Sequence, residues 1–326
     1  MASKDVYLVL GGDVFAGRHV VEQLNARGDT VFVFDSTQRH NDVECVAGDI
    51  CAPDQISNAI QKTGATCIIH TISPLSIGNH DNLSVFHRVN VEGTRNVIEA
   101  AKAAGVQKLV YHGSSDESLP YPKKPMGQYA ASRALAEQLI IAANGVNGLK
   151  TACIRPTGIF GPGDQGTIDG AYKSWKRGTV HVQLGNSKNL CDKTYVGNVA
   201  HAILLASDKL SDPAAVDQVA GQIFFITNND PRPFWDFMRS LWAGFDAIFP
   251  DRATKKRSPV VIPRSLALVL AYPLTPYTVT FATATMYFSS AKAARVLGYA
   301  PQVSVDEDIE RTMTWVKAEI DTGNFK

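Results

Sequence analysis

The chain has 326 residues, long enough to bury a large core as one two-lobed domain or two modest ones. Lys and Arg total 32 against 31 Asp and Glu, a net charge of +1, and that balance excludes a basic nucleic-acid footprint and an acidic disordered tail. Five scattered cysteines (Cys45, Cys51, Cys67, Cys153, Cys191), none in C-x-x-C spacing, suggest neither a disulfide framework nor a zinc site, so no metal is expected and a reducing, cytoplasmic setting is. The first residues, Met1 to Asp5, lack the order of a signal peptide.

Taken along the chain, strand and helix signals alternate. Val6 to Leu10 is a continuous apolar run closed by Gly11-Gly12, as expected of a strand buried on both faces of a parallel sheet. After Gly17, Val20, Val21 and Leu24 fall at helical spacing, Gly28 ends the helix, and Val31 to Phe34 reads as a second strand. Later strands are expected at Cys67–His70, Leu109–Tyr111 and Thr151–Ile154, with helices around Val91–Ala104 and Tyr129–Ala143. This rhythm predicts an α/β fold with a doubly wound parallel sheet. Beyond Arg155 the pattern loosens into a glycine-crowded loop, a short helix over Val199–Leu205 and a proline-punctuated third that suits a smaller lobe of short helices. The expected division is 1–160 with 191–230 as a dinucleotide-binding domain, and 161–190 with 231–326 as an interleaved substrate lobe. Ser265 to Ala291 carries no charge, but Pro273, Pro276 and five threonines interrupt it. The wall of an apolar substrate lobe explains that run best, with shallow membrane contact as the alternative.

Gly11-Gly12-Asp13-Val14-Phe15-Ala16-Gly17 joins the first strand to the first helix, where glycines allow close approach of a pyrophosphate to helix N-terminal amides. Val14 occupies the middle position of the G-x-x-G-x-x-G spacing; a β-branched residue resists positive φ and fills space where phosphate would lie. Asp35 closes the second strand, where a carboxylate accepts hydrogen bonds from ribose hydroxyls and repels a 2′-phosphate, favouring NAD over NADP. Asp49-Ile50 would border the adenine. Tyr129 and Arg133 share one helix face, and with Ser114 they form a constellation for proton transfer at a carbinol or carbonyl. Ser114 would hold the oxygen, Tyr129 would move its proton, and Arg133 would supply a positive field. His70 and His112 are further candidates for proton transfer.

These residues together resemble an extended short-chain dehydrogenase/reductase, and more narrowly the 3β-hydroxysteroid dehydrogenase and 4α-carboxysterol 3-dehydrogenase (decarboxylating) group. The resemblance rests on the glycine turn, Asp35, Gly48-Asp49-Ile50, His70 to Pro74, Val89 to Thr94, Tyr111 to Ser114, Tyr129 to Arg133, Ile154 to Gly161, Tyr195 to Ala200, Tyr287 to Ser289 and Ala291 to Tyr299. It implies a Rossmann-type domain, a mostly helical C-terminal substrate lobe, and oxidation of a ring hydroxyl by a Ser–Tyr–Lys set with NAD(P), sometimes followed by loss of a neighbouring carboxylate. The implied cofactor residues are Gly11, Gly12, Val14, Phe15, Gly17, Asp35, Asp49, Ile50, Thr71, Arg133 and Pro156. The sequence departs from the family pattern at Val14 (glycine), Arg133 (lysine) and Gly197 (aspartate). The first expectation is therefore an NAD-dependent oxidoreductase interconverting hydroxyl and ketone on a sterol-like, terpenoid or other apolar molecule. The alternatives are a redox-neutral isomerase, decarboxylase or cyclase on the same scaffold, and a non-catalytic binding protein. A homodimer through the helices flanking the sheet is also implied.

Overall fold

The computed structural model describes residues 5–74, 83–114, 127–254, 258–269 and 276–325. By its internal contacts the chain forms two units: Met1–Thr157 with Val196–Ile226 and Ser289–Ala300, and Gly158–Tyr195 with Thr227–Phe288 and Pro301–Lys326.

The first unit is built on seven strands: β1 (Val6–Leu10), β2 (Thr30–Asp35), β3 (Cys45–Ala47), β4 (Cys67–His70), β5 (Lys108–His112), β6 (Lys150–Pro156) and β7 (Gln222–Ile226). All pair parallel, in the order β7-β6-β5-β4-β1-β2-β3. The register sets Leu8 between Phe32 and Ile68, and Ile154 between His112 and Phe224. Parallel strands need crossovers, and the helices that supply them are α1 (Phe15–Ala26), α2 (Pro53–Thr63), α3 (Thr94–Ala104), α4 (Gln128–Ala142) and α5 (Val196–Ser211). Both faces of the sheet are thus covered, and Leu8, Leu10, Ile68, Leu109, Tyr111 and Cys153 lie fully buried with Ile56, Ile60, Val97 and Ile140. The doubly wound parallel sheet expected from the strand–helix rhythm is present. The edge strand β7 was not anticipated: Gln222-Ile223-Phe224-Phe225-Ile226 is a short apolar run, and its pairing with β6 depends on contacts across some sixty residues of intervening chain.

The second unit is mostly helical, with helices Thr167–Lys176, Phe234–Ile248 and Val305–Asp321 around a core of Phe160, Trp175, Phe234, Trp235, Phe237, Trp242, Phe245 and Val316. The expectation of short helices is corrected here, since two of these run to 15 and 17 residues. Prolines misled: Pro233 and Pro250 bracket the helix 234–248 and leave its interior intact. Ser304 caps the last helix by accepting the Glu307 amide at 3.2 Å.

Chain contacts also draw the unit boundaries differently from the sequence. Residues 158–160, 191–195 and 227–230 join the second unit, where Thr194–Tyr195 pairs with Ile159–Phe160 and Arg232–Pro233 with Leu190–Cys191. Residues 289–300 return to the first, where Lys292 Nζ bonds the Gln222 side chain and the Ile223 carbonyl, both at 2.9 Å. Among the described residues no helix is long and apolar enough to cross a membrane; within the uncharged run, 270–275 lie outside the described residues.

Candidate active site

The turn after β1 is closed by contacts only glycine permits. Gly11 sits at φ +81° and donates its amide to the Phe34 carbonyl at 2.9 Å, tying the turn to β2. A Cβ at Gly17 would lie 2.1 Å from the Gly11 carbonyl oxygen and 2.7 Å from Thr71 Oγ1, so α1 packs directly on the turn. Thr71, just past β4, supports the turn from below by donating its hydroxyl to the Leu10 carbonyl at 2.7 Å. Gly12 is equally enclosed, with Val33 Cγ2 2.7 Å from where its Cβ would be.

Val14 does not carry the strain anticipated for it. Its backbone is extended (φ −132°, ψ 143°), a conformation that suits a β-branched residue, and the positive φ in this turn falls on Gly11 and on Phe15 (+29°). The Val14 side chain is 37% exposed at the N-cap of α1, where it narrows the approach to the turn without distorting it. Asp13, which would place a carboxylate beside an anion, is buried and accepts the Arg39 amide at 2.7 Å.

Asp35 stands at the C-terminal end of β2. Its Oδ1 accepts the Ser36 amide at 2.7 Å, while Oδ2 is buried and has no hydrogen-bond partner among the described residues. Of the adenine-border residues, Asp49 is turned into the loop, accepting the Cys51 amide at 2.8 Å. Ile50 is a core residue, 3% exposed, with its carbonyl held by Asn96 at 3.1 Å. Pro156 lies buried at the end of β6, paired with Ile226.

Ser114 lies two residues beyond β5, and Tyr129 is the second residue of α4, its ring edge-on to Phe86 at 5.6 Å. Residues 115–126, including Ser115, are outside the described residues. Arg133 joins the two elements. One turn along α4 from Tyr129, it buries its guanidinium to 1% exposure, donates from Nη2 to the His112 carbonyl and stacks over the Tyr111 ring at 4.8 Å. Arg133 keeps a positive charge beside the site and, as its planar fork leads one to expect, places it differently from a lysine. Its guanidinium gives a donor to the backbone of β5 and lies over an aromatic face there, a planar contact that a compact ammonium does not reproduce.

The buried charge of Arg133 acts on both neighbouring histidines. Burial first, then Arg133, pushes His70 down to about 3 and His112 likewise to about 3, so both imidazoles are neutral at physiological pH. His70 Nε2 is 3.0 Å from Thr94 Oγ1, and its ring meets Tyr111 edge-on at 5.3 Å.

Two further features were not readable as site residues. Asn90 sits in a π-helical turn, His87–Gly93, that runs into α3; it is 1% exposed and donates to Ser132 Oγ at 2.9 Å, while Ser132 donates to the Tyr129 carbonyl at 2.8 Å. Its Oδ1 has no partner among the described residues. This relay positions the first turn of α4; Asn90 lies in the Val89–Thr94 run that carries the family resemblance, but nothing in that run points to a bond with Ser132. The second feature is the fully buried pair of Glu137 and Arg155, with Nε to Oε2 at 2.7 Å, which fastens α4 to β6.

The sequence pattern of the 3-beta hydroxysteroid dehydrogenase/isomerase family matches residues 8–256, a span that includes the glycine turn, Asp35, Ser114 and Tyr129. The chain belongs to that family. It is 34% identical to the decarboxylating sterol-4-alpha-carboxylate 3-dehydrogenase of Saccharomyces cerevisiae, over 97% of this chain and 99% of that protein. It is 36% identical to the enzyme of the same name from Mus musculus, over 94% and 89%. Among solved structures, UDP-glucose 4-epimerase from Thermotoga maritima superposes with a TM-score of 0.74 at 18% identity, covering 96% of this chain and 99% of that one. The Thermus thermophilus UDP-glucose 4-epimerase complex with NAD gives 0.70 at 21%, covering 95% and 98%. At those identities the likeness is one of fold: the Rossmann-type architecture of extended short-chain dehydrogenases that the family shares.

Proposed function

We propose that this family member is an NAD-dependent oxidoreductase that converts a ring hydroxyl of a sterol-like molecule to the ketone, with loss of a neighbouring carboxylate as in the relatives' names. The observation that carries the reading is the pair of features at the ends of β1 and β2: a turn sealed by Gly11 and Gly17, and beside it a buried Asp35 oxygen without a partner among the described residues. A dinucleotide fits this donor set. The Gly11–Gly17 turn and the N-terminus of α1 would hold its pyrophosphate, and Asp35 Oδ2 would accept from a ribose hydroxyl while its charge disfavours a 2′-phosphate, selecting NAD over NADP. When bound, the nicotinamide supplies the hydride acceptor. Ser114 holds the substrate oxygen, and Tyr129 takes its proton. Once the ring carbon is a ketone, the electrons of the bond to a β-carboxylate can move toward the carbonyl, and carbon dioxide leaves. Exposed aliphatics at Val260, Val261, Leu266 and Val269 support shallow contact with a membrane from which such a substrate would be drawn.

A redox-neutral reaction is the second reading, and one observation favours it: the position that family members fill with lysine holds Arg133, whose guanidinium donates to the His112 carbonyl and lies over Tyr111, so no ammonium is presented there. Calorimetric titration separates the two. Submillimolar binding of NAD(H), with NADP(H) at least tenfold weaker and weakened NAD(H) binding in Asp35→Ala, supports the first reading; no binding at millimolar cofactor refutes it.

A further inference from the structure

The second unit carries an apolar surface that its own fold leaves uncovered. Among the described residues, strand Val260–Ile262 pairs with Val182–Leu184 alone, in a sheet of two strands. Successive side chains of a strand point to opposite faces, yet Val260 is 54% exposed and Val261 50%, so neither face is covered. The helix that follows, Arg264–Val269, buries only Ala267, and Leu266, Leu268 and Val269 stand open, the last at 77%. The chain here also carries charge of one sign. From Arg252 to Phe288 the sequence contains no Asp or Glu, while Arg252, Lys255, Lys256, Arg257 and Arg264 are basic. Of these cations, Arg252 and Arg264 lie among the described residues, and both are exposed.

A cleft of about 460 Å³ opens between the loop after Val182–Leu184 and the start of the helix, with Val261, Pro263 and Thr283 in its walls. Its other polar groups are engaged. Thr283 donates its hydroxyl to the Val279 carbonyl at 2.6 Å, and Asn189 Nδ2 donates to the carbonyls of Ala282 and Ala284 at 3.2 and 3.1 Å. Asn186 Oδ1 accepts the Lys188 amide at 3.1 Å, which leaves its Nδ2 for a ligand. The Arg264 guanidinium, also in the wall, forms no ion pair or hydrogen bond among the described residues. A site whose remaining polar groups are all donors takes an oxyanion, and a rim of open aliphatic side chains takes acyl chains. A phospholipid supplies both, in one molecule. Valine and leucine, by contrast, seldom anchor a protein partner.

We infer that this face docks on an anionic bilayer. A lipid phosphate sits in the cleft against Arg264 and Asn186, and Val260, Val261, Leu266 and Val269 enter the boundary between headgroups and acyl chains. The inference rests on the membrane contact proposed above and adds what that contact reads, which is negative charge.

The test mixes the full chain with vesicles of phosphatidylcholine, or of phosphatidylcholine with one-third phosphatidylserine, and measures bound protein by co-sedimentation. Calorimetric titration with NAD runs alongside. The anionic vesicles should bind about tenfold or more tightly than the neutral ones, and the difference should fade as salt rises from roughly 0.05 to 0.5 M. One cation near the surface contributes about fivefold, so Arg264→Gln should lose at least that much. Leu266→Ser with Val269→Ser should lose about tenfold. All three side chains are exposed, so these variants should keep the native melting temperature and NAD affinity. Lys62→Gln removes the same charge from the first unit, where the side chain is 59% exposed, and should bind vesicles as the native protein does. Equal binding to neutral and anionic vesicles overturns the inference, as does a loss in Arg264→Gln no greater than in Lys62→Gln. Self-association without vesicle binding, abolished by the same variants, also overturns it, because the occupant is then a second copy of the chain. Selective vesicle binding without affinity for NAD would sink the oxidoreductase reading and leave this one standing; NAD binding without vesicle binding would do the reverse.

Discussion

Replacing Glu137 with leucine should strand Arg155 in the core of the first unit. Both side chains are completely buried; Glu137 accepts from Arg155 through both carboxylate oxygens, and the guanidinium lies 5.4 Å from the Phe225 ring centroid. Deleting one member of such a pair leaves an uncompensated charge and costs about 3–5 kcal/mol. That is a large part of the 5–15 kcal/mol by which a typical domain is stable. For a unit of this size it corresponds to a drop of about 6–20 °C in melting temperature. All four tryptophans (Trp175, Trp235, Trp242, Trp315) lie in the second unit, so circular dichroism must be used to see the sheet, and tryptophan emission serves as an internal control. The double variant Glu137→Leu with Arg155→Met should recover most of the loss, because apolar residues of similar volume replace a buried pair at little cost. A single-variant shift below about 2 °C, or a double variant as unstable as the single one, would refute the reasoning.

Gly17→Ala should abolish NAD binding and lower the stability of the first unit by more than 2 kcal/mol, since its methyl would meet the Gly11 carbonyl at 2.1 Å; unchanged calorimetric affinity would contradict the turn geometry. Arg133→Lys removes the stack on Tyr111 and the bond to the His112 carbonyl, and should destabilise the fold by about 1–3 kcal/mol even if it raises alcohol oxidation; a stability gain in chemical denaturation would show that the arginine is not structural. Asp308, buried beside Thr312 at 3.1 Å, is pushed up to about 8 by desolvation. It therefore binds a proton in the folded state that the unfolded chain has already released, and its contribution is intact below pH 4 and lost as pH rises through 8. Asp308→Asn should flatten the stability decline over that range, and parallel pH profiles for variant and native protein would count against a protonated Asp308.

The strands β1, β4, β5 and β6 could be read from the sequence because each is a short apolar run buried on both faces, and such runs announce themselves without knowledge of their partners. The edge strand β7 and the long helix 234–248 were hidden for the opposite reason: β7 depends on a distant partner, and the flanking prolines looked like breaks while they only mark ends. In the site, Gly11, Gly17 and Thr71 meet at one turn, where the glycine spacing pointed. Val14 and Arg133 show what a departure from a motif cannot reveal. The valine adopts an extended backbone that no spacing could announce, and the arginine turns into β5 because Tyr111 offers a face there. Asn90 and the Glu137–Arg155 pair depend on buried partners 42 and 18 positions away, so no local pattern carries them.

The distance in chain order between β6 and β7 has a consequence for biosynthesis. When β6 leaves the ribosome its outer edge exposes the unpaired backbone of Ala152, Cys153 and Ile154, and the strand that covers it, Gln222–Ile226, emerges only after the glycine-rich loop and α5. During that interval the nascent sheet carries an open apolar edge able to pair with another chain. Fragments that stop short of Gln222 should therefore aggregate, and the yield of soluble protein should depend on chaperones that shield a growing sheet more than on the stability of the finished one.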